Sequence, residues 1–224
     1  MTYCHSDISE QLSATLNQSL FEAISDDLYS QGYSIKPCAF PMALALELKQ
    51  HAESIKTNEF HTAGIGREQH AATDNSIRSD KTLWITGQNS VEQHWLSWVE
   101  EFKNYLNRRL FLGLFSFESH FASYASGQFY KRHLDAFKGQ SNRVLSMVLY
   151  LNDDWLDEDG GELVLYQDQT DTLGTVVKPT MATLVTFLSE EFPHQVLPAH
   201  RKRLSIAGWF SVNRSVNGQL DPPL

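Results

Sequence analysis

From Phe115 to Phe210 the chain is a succession of short apolar runs cut by turn residues: "FSFESHFASY", "QFYKRHLDAF", "RVLSMVLYL", "GELVLY", "GTVVKP", "ATLVTFL", "HQVLP" and "RLSIAGWF". Strands this short, at this spacing, restrict the fold to a sandwich or barrel. The part before them has a different texture. Leu12, Leu16, Leu20, Ile24 and Leu28 recur every four residues with Phe21 beside them, one apolar helical face that Gly32 closes. "YSIKPCAF" reads as a short strand, Pro41 opens a second helix over "PMALALELKQHAESIK", and "TLWIT" is strand-like. A third helix spans about Ser90–Leu112, with Trp95, Trp98, Val99, Phe102 and Leu106 on its inner side. No composition shift separates these parts. The expectation is an α+β fold in one domain over 1–224, with helical support mainly in 7–112 and the β-core at about 115–212.

The segment 61–81, "HTAGIGREQHAATDNSIRSDK", is polar and aperiodic and reads as a long loop or lid. The tail "SVNRSVNGQLDPPL" reads as polar and loose, and the acidic "DDWLDEDGGE" as a solvated loop without calcium-loop spacing. A net charge of −9 argues against a nucleic-acid partner. No apolar run reaches membrane-spanning length, and "MTYCHSDISE" does not look like a secretion signal, so the expectation is a cytoplasmic protein with no membrane association. Cys4 and Cys38 offer neither a disulfide framework nor zinc-finger spacing.

The chemistry sits in two places. In "YKRHLDAF", His133 and Asp135 stand two apart, so on one strand an imidazole and a carboxylate would face the same way. In "PHQVLPAHRKRLSIAGW", a turn centred between Pro198 and Ala199 would set His194 opposite Arg203 on a hairpin. Two histidines and one carboxylate with open positions left over are the donor set of non-haem Fe(II) oxygenases. An inward arginine beside them calls for an anion, and its planar fork suits a carboxylate.

Those residues carry a resemblance. Together with "IRSDKTLWITG" (77–87), Arg143 before "LYLNDDW", and "GGELVLY", they resemble the 2-oxoglutarate- and Fe(II)-dependent oxygenases. Within these the chain is most similar to the prolyl 4-hydroxylases related to the hypoxia-inducible-factor prolyl hydroxylases. The resemblance runs in order from Ile77 to Trp209. It implies a double-stranded β-helix (jelly roll), with His133, Asp135 and His194 as iron ligands. It implies Arg203 and Tyr150 on the distal carboxylate of 2-oxoglutarate, and Tyr124 and Trp209 as aromatics lining the cosubstrate pocket and the approach to iron. Arg78, Asp80 and Arg143 match charged residues of the lid and substrate groove, with an Asp80–Arg143 ion pair expected to hold the lid.

The implied cofactor is Fe(II), the cosubstrates 2-oxoglutarate and O2, with ascorbate as a supporting reductant. The implied reaction couples oxidative decarboxylation of 2-oxoglutarate to hydroxylation of a prolyl residue at C4. The expected partner is a proline-containing protein or peptide, a translation factor such as elongation factor Tu being one target. The alternative is a small molecule such as a free amino acid. Two departures bear on substrate: Ala136-Phe137 stands where the family has Asn-Pro, and Ala207 where relatives often carry a hydroxyl.

Overall fold

The computed structural model describes residues 6–63, 76–137, 141–213, 215–216 and 219–220. Three helices, α1 (Ser6–Gln31), α2 (Met42–Ser54) and α3 (Ser90–Leu110), precede or interrupt the first strands. Those strands are β1 (Tyr33–Lys36), β2 (His61–Thr62) and β3 (Lys81–Trp84). The remainder is β4 (Leu114–Tyr124), β5 (Tyr130–His133), β6 (Arg143–Tyr150), β7 (Leu163–Leu165), β8 (Thr175–Val177), β9 (Leu184–Leu188), β10 (His194–Val196) and β11 (Arg203–Val212). All eight strands expected after Phe115 are present. A further pair, β12 (Ser215–Val216) with β13 (Gln219–Leu220), forms a small hairpin where a loose tail was expected.

The strands form a seven-stranded sheet, β1-β9-β6-β11-β4-β3-β2, facing a four-stranded sheet, β5-β10-β7-β8, with antiparallel pairing throughout. This is the jelly-roll arrangement with helices on one face. Period-2 alternation gives the large sheet two different faces. Leu145, Met147 and Leu149 of β6, with Leu204, Ile206 and Phe210 of β11, share one core with α1 to α3. Tyr150, Val185 and Phe187 point the other way and pack on Leu163, Leu165, Val177 and Val196 of the small sheet.

Helix α3 starts where its sequence says it should. The Asn89 side chain accepts from Glu92 N–H at 2.9 Å, satisfying an orphan donor of the first turn. Trp95, Trp98, Val99, Phe102 and Leu106 are all buried, and Phe21 of α1 meets the Trp98 and Phe102 rings at 5.2 and 5.1 Å. Gly32 ends α1 in a left-handed conformation (φ 79°), donating to Leu28 C=O at 3.0 Å. A Cβ there would also lie 2.9 Å from the Phe192 ring.

One expectation needs correction. The ends of the 61–81 segment are not lid: β2 pairs with β3 at the edge of the large sheet, and Ala63 and Asp80 are buried. Its centre, 64–75, lies outside the described residues. The acidic run is a largely exposed loop, as expected, ordered around one short 3-10 turn (Asp157–Asp159). Trp155 is buried and donates to Gly160 C=O at 2.9 Å, while Asp153 and Asp157 pair with Lys49 and Lys178.

Candidate active site

Between the two sheets lies a cleft lined by inward side chains of both. His133 ends β5 and His194 begins β10, and the register sets them directly opposite each other. Asp135 is not on the strand, as the spacing suggested, but in a bend just beyond it. That bend brings its carboxylate between the rings, with Oδ1 3.6 Å from His133 Nε2 and Oδ2 3.7 Å from His194 Nε2. The three donor atoms lie within 4.8 Å of one another, the one such His/Cys/Asp/Glu group among the described residues.

The histidine tautomers follow from their partners. His133 Nδ1 lies 2.8 Å from Lys131 C=O and His194 Nδ1 lies 3.1 Å from Phe192 C=O. A carbonyl only accepts, so each Nδ1 carries a proton and each Nε2 is the ring atom turned to the centre. Burial, reinforced by the neighbouring His133, pushes the His194 pKa down to about 4, so it is a neutral donor at ordinary pH. For Asp135 burial opposes ionisation. The nearby His194 and His133 and a hydrogen bond from Ser146 outweigh it and hold the carboxyl well below its usual range. Two imidazoles, each tied through Nδ1 to a backbone carbonyl, and one carboxylate suit a divalent metal of the Fe(II) type.

Arg203 reaches the same cleft by a route the hairpin reading did not foresee. Strand β10 belongs to the small sheet and β11 to the large one, where Arg203 pairs with Tyr124. The intervening segment is no tight turn. Pro198 C=O accepts from Gly161 N–H at 3.0 Å and Ala199 N–H donates to Gln128 C=O at 3.1 Å, and these bonds carry the chain across. His194 and Arg203 therefore meet from facing sheets, not across a hairpin.

Arg203 is 1 % exposed. Its Nε donates to Gly161 C=O at 2.8 Å and Nη1 to Ser205 Oγ at 3.2 Å, with the guanidinium 4.9 Å from the Tyr124 ring and 5.0 Å from the Tyr150 ring. Among the described residues no carboxylate pairs with it. The Tyr150 hydroxyl nearby is buried with no hydrogen-bond partner among the described residues, and burial raises its pKa to about 12. A buried cation and an orphaned phenol O–H at one end of a cleft, with a metal-type donor set further along, fit a dicarboxylate that spans the two.

The mouth holds the charged residues. Arg78 grips Asp80 bidentately at 2.7 and 3.0 Å and lies 4.7 Å from the Tyr130 ring. Arg143 pairs not with Asp80 but with Glu118, at 2.6 Å, and stacks 4.0 Å over Trp209. The expected Asp80–Arg143 pair is absent because Asp80 is fully buried under Arg78, whereas Arg143 leaves β6 toward β4. Ser146, Ser205, Glu118 and His120 were not singled out from sequence. The signal was there in the strand period: Ser146 shares a face with Tyr150, Ser205 with Arg203, and Glu118 and His120 with Tyr124.

Comparison with known proteins agrees with this geometry. Residues 119–211 match the model of the 2OG-Fe(II) oxygenase superfamily. A prolyl-4-hydroxylase from Pseudomonas putida is 37% identical, with 87% of this chain and 100% of that chain covered and a TM-score of 0.77. The chain belongs to the 2OG-Fe(II) oxygenase superfamily. A prolyl hydroxylase from Trichoplax adhaerens, solved with a hypoxia inducible factor oxygen degradation domain peptide fragment, shares the fold. It is 24% identical over 89% of this chain and 92% of that one, with a TM-score of 0.74. A Phytophthora capsici prolyl 4-hydroxylase gives 21%, 88% and 64%, with a TM-score of 0.63. The chain is thus a prolyl 4-hydroxylase-like member of the superfamily, an enzyme that uses Fe(II), 2-oxoglutarate and O2.

Proposed function

We propose that this oxygenase hydroxylates a prolyl residue at C4 in a polypeptide, with His133, Asp135 and His194 holding the iron. The observation that carries the site is Arg203, a buried guanidinium that no carboxylate among the described residues pairs with, in the cleft onto which the His-Asp-His group opens. Arg203 and the Tyr150 hydroxyl bind the distal carboxylate of 2-oxoglutarate, and Tyr124 walls that end beside the guanidinium. Bound Fe(II) supplies O2 activation coupled to oxidative decarboxylation of the cosubstrate. The protein's own part is to fix the two Nε2 lone pairs, orient the diacid, exclude water between the sheets and admit the substrate at the open end.

Trp209, with Arg143 stacked on it, and Arg78 over Tyr130 form the walls a polypeptide meets. Likeness to the Pseudomonas putida prolyl-4-hydroxylase and to an enzyme solved with a peptide fragment supports a prolyl residue in a polypeptide. A cytoplasmic protein such as elongation factor Tu is the specific target to try first. No helix among the described residues is long and apolar enough to cross a membrane.

The test has two parts. Arg203→Lys keeps the charge but loses the fork, so 2-oxoglutarate affinity should fall at least about tenfold while metal affinity stays. Unchanged 2-oxoglutarate affinity would remove Arg203 from the cosubstrate site. Incubation of a proteome with enzyme, Fe(II) and 2-oxoglutarate should then yield prolyl peptides that gain one oxygen atom. Turnover of a free amino acid with no modified polypeptide would overturn the substrate class.

A further inference from the structure

His120 is buried, lines the cleft, and among the described residues has no hydrogen-bond partner at either ring nitrogen. The ring is wedged between two indoles, 5.1 Å from Trp84 and 5.3 Å from Trp209. Burial, with Arg78 and Arg143 as neighbouring cations, holds its pKa down at about 3 against the weaker pull of Asp135. The ring is therefore neutral, with one N–H to donate and one lone pair to accept. Leaving both unmet inside a protein is costly, and native structures rarely do so without a ligand or water to fill the place.

The register says which ligand group comes near. On the inner face of the large sheet, Ser205 lies level with Ala122 and Tyr150, Ala207 with His120 and Val148, and Trp209 with Glu118 and Ser146. The Arg203 guanidinium bonds Ser205, which places the anion-binding end at the first of these levels. Ser146 bonds Asp135, which places the metal-type donors at the third. His120 occupies the level between, where its neighbours Ala207 and Val148 have no polar side chain. Adjacent levels are about 7 Å apart, two residues of strand rise, close to the span of an extended five-carbon diacid.

We propose that His120 is a cosubstrate-binding residue whose ring N–H donates to the 1-carboxylate of 2-oxoglutarate, the carboxylate beside the keto group. This rests on the placement of the distal carboxylate at Arg203. One end of the diacid is then held by a cation and a phenol on β11 and β6. The other is held by a neutral imidazole on β4, which orients the carboxylate without the charge of a second arginine.

Anaerobic Fe(II)-loaded protein titrated with 2-oxoglutarate gives the test, read by calorimetry and by the visible absorption of an Fe(II)–2-oxoacid chelate. His120→Leu removes the donor. It should raise the 2-oxoglutarate Kd at least about tenfold and move the absorption band, with Fe(II) affinity unchanged. His120→Gln keeps an N–H and should recover most of both. In wild-type protein loaded with Zn(II), a His120 ring ¹⁵N–H signal should move downfield when 2-oxoglutarate is added, a readout that needs no variant to fold. Wild-type affinity and band position in His120→Leu, a Gln variant as weak as Leu, or an unmoved ring signal would each overturn the inference. A Leu variant impaired only in polypeptide binding would overturn it too, and would put His120 against the substrate. No 2-oxoglutarate binding by wild-type protein would instead sink the cosubstrate site itself, and this inference with it.

Discussion

Ser146 reaches Asp135 with its hydroxyl 2.6 Å from Oδ2 and stands 2.9 Å from Ser189 Oγ, a short buried chain behind the carboxylate. Such a contact holds one carboxylate rotamer and leaves the other oxygen for a metal. Ser146→Ala should therefore lower Fe(II) or Mn(II) affinity roughly 10- to 100-fold, the usual cost of losing a partner of a metal ligand, with the fold intact. Metal titration by calorimetry checks this, and an unchanged affinity would mean that the two histidine–carbonyl contacts alone preorganise the site. At the mouth, residue-level detail changes an experiment. Because Asp80 is buried against Arg78 and Arg143 pairs with Glu118, exchanging the charges of Asp80 and Arg143 has no reason to restore function.

Among the elements, α3 depends most on a single side chain. Glu92 Oε2 accepts from the N–H groups of Thr86, Gly87 and Gln88 at 3.0, 2.8 and 3.2 Å, while Oε1 accepts from Asn89 Nδ2 at 2.9 Å. Burial opposes its charge, but these bonds outweigh it and hold the carboxyl below its usual range. Glu92→Gln should thus cost about 2–3 kcal/mol, measured by urea unfolding, with little change in 2-oxoglutarate affinity. Strand β11 has a different constraint at its centre. A Cβ at Gly208 would meet the Phe117 ring at 2.5 Å and Glu118 C=O at 2.9 Å. Gly208→Ala should cost about 1–3 kcal/mol by overpacking and, because β11 carries Arg203 and Ser205, should weaken 2-oxoglutarate binding as well. A Gly208→Ala protein as stable as wild type would show that the ring has room to move.

For the whole molecule, the buried neutral histidines set a pH dependence. The folded pKa values of His194 and His120, about 4 and about 3, lie below the ordinary histidine value of about 6.5. Between those limits the unfolded chain binds protons that the folded chain does not, so lowering the pH favours unfolding. Their contribution is fully present above about pH 6.5 and is lost as pH falls through that window; Asp135 acts in the same direction further down, below about pH 4. The metal-free protein should melt at progressively lower temperature from about pH 7 to about pH 5, and His120→Leu should flatten that slope. A flat profile in wild-type protein would contradict the burial of these rings.

Much of this was legible in the chain. The eight core strands could be read because each is short, apolar and bounded by turn residues, and the inner side of α3 because its tryptophans and leucine keep helical spacing. The His133–Asp135 half of the donor set could be read because the two are neighbours in sequence, so local geometry alone brings them close. What the sequence could not specify was pairing over long separations. Whether the segment after His194 turns back or crosses to the other sheet depends on bonds to Gly161 and Gln128, residues far away in the chain. Which arginine meets which carboxylate depended on register and burial, and so Asp80 took Arg78 and left Arg143 to Glu118. Spacing determines which side chains share a face, because the strand period is a local property. Only the closed sandwich decides what that face looks at, because the two walls are built from strands that alternate along the chain.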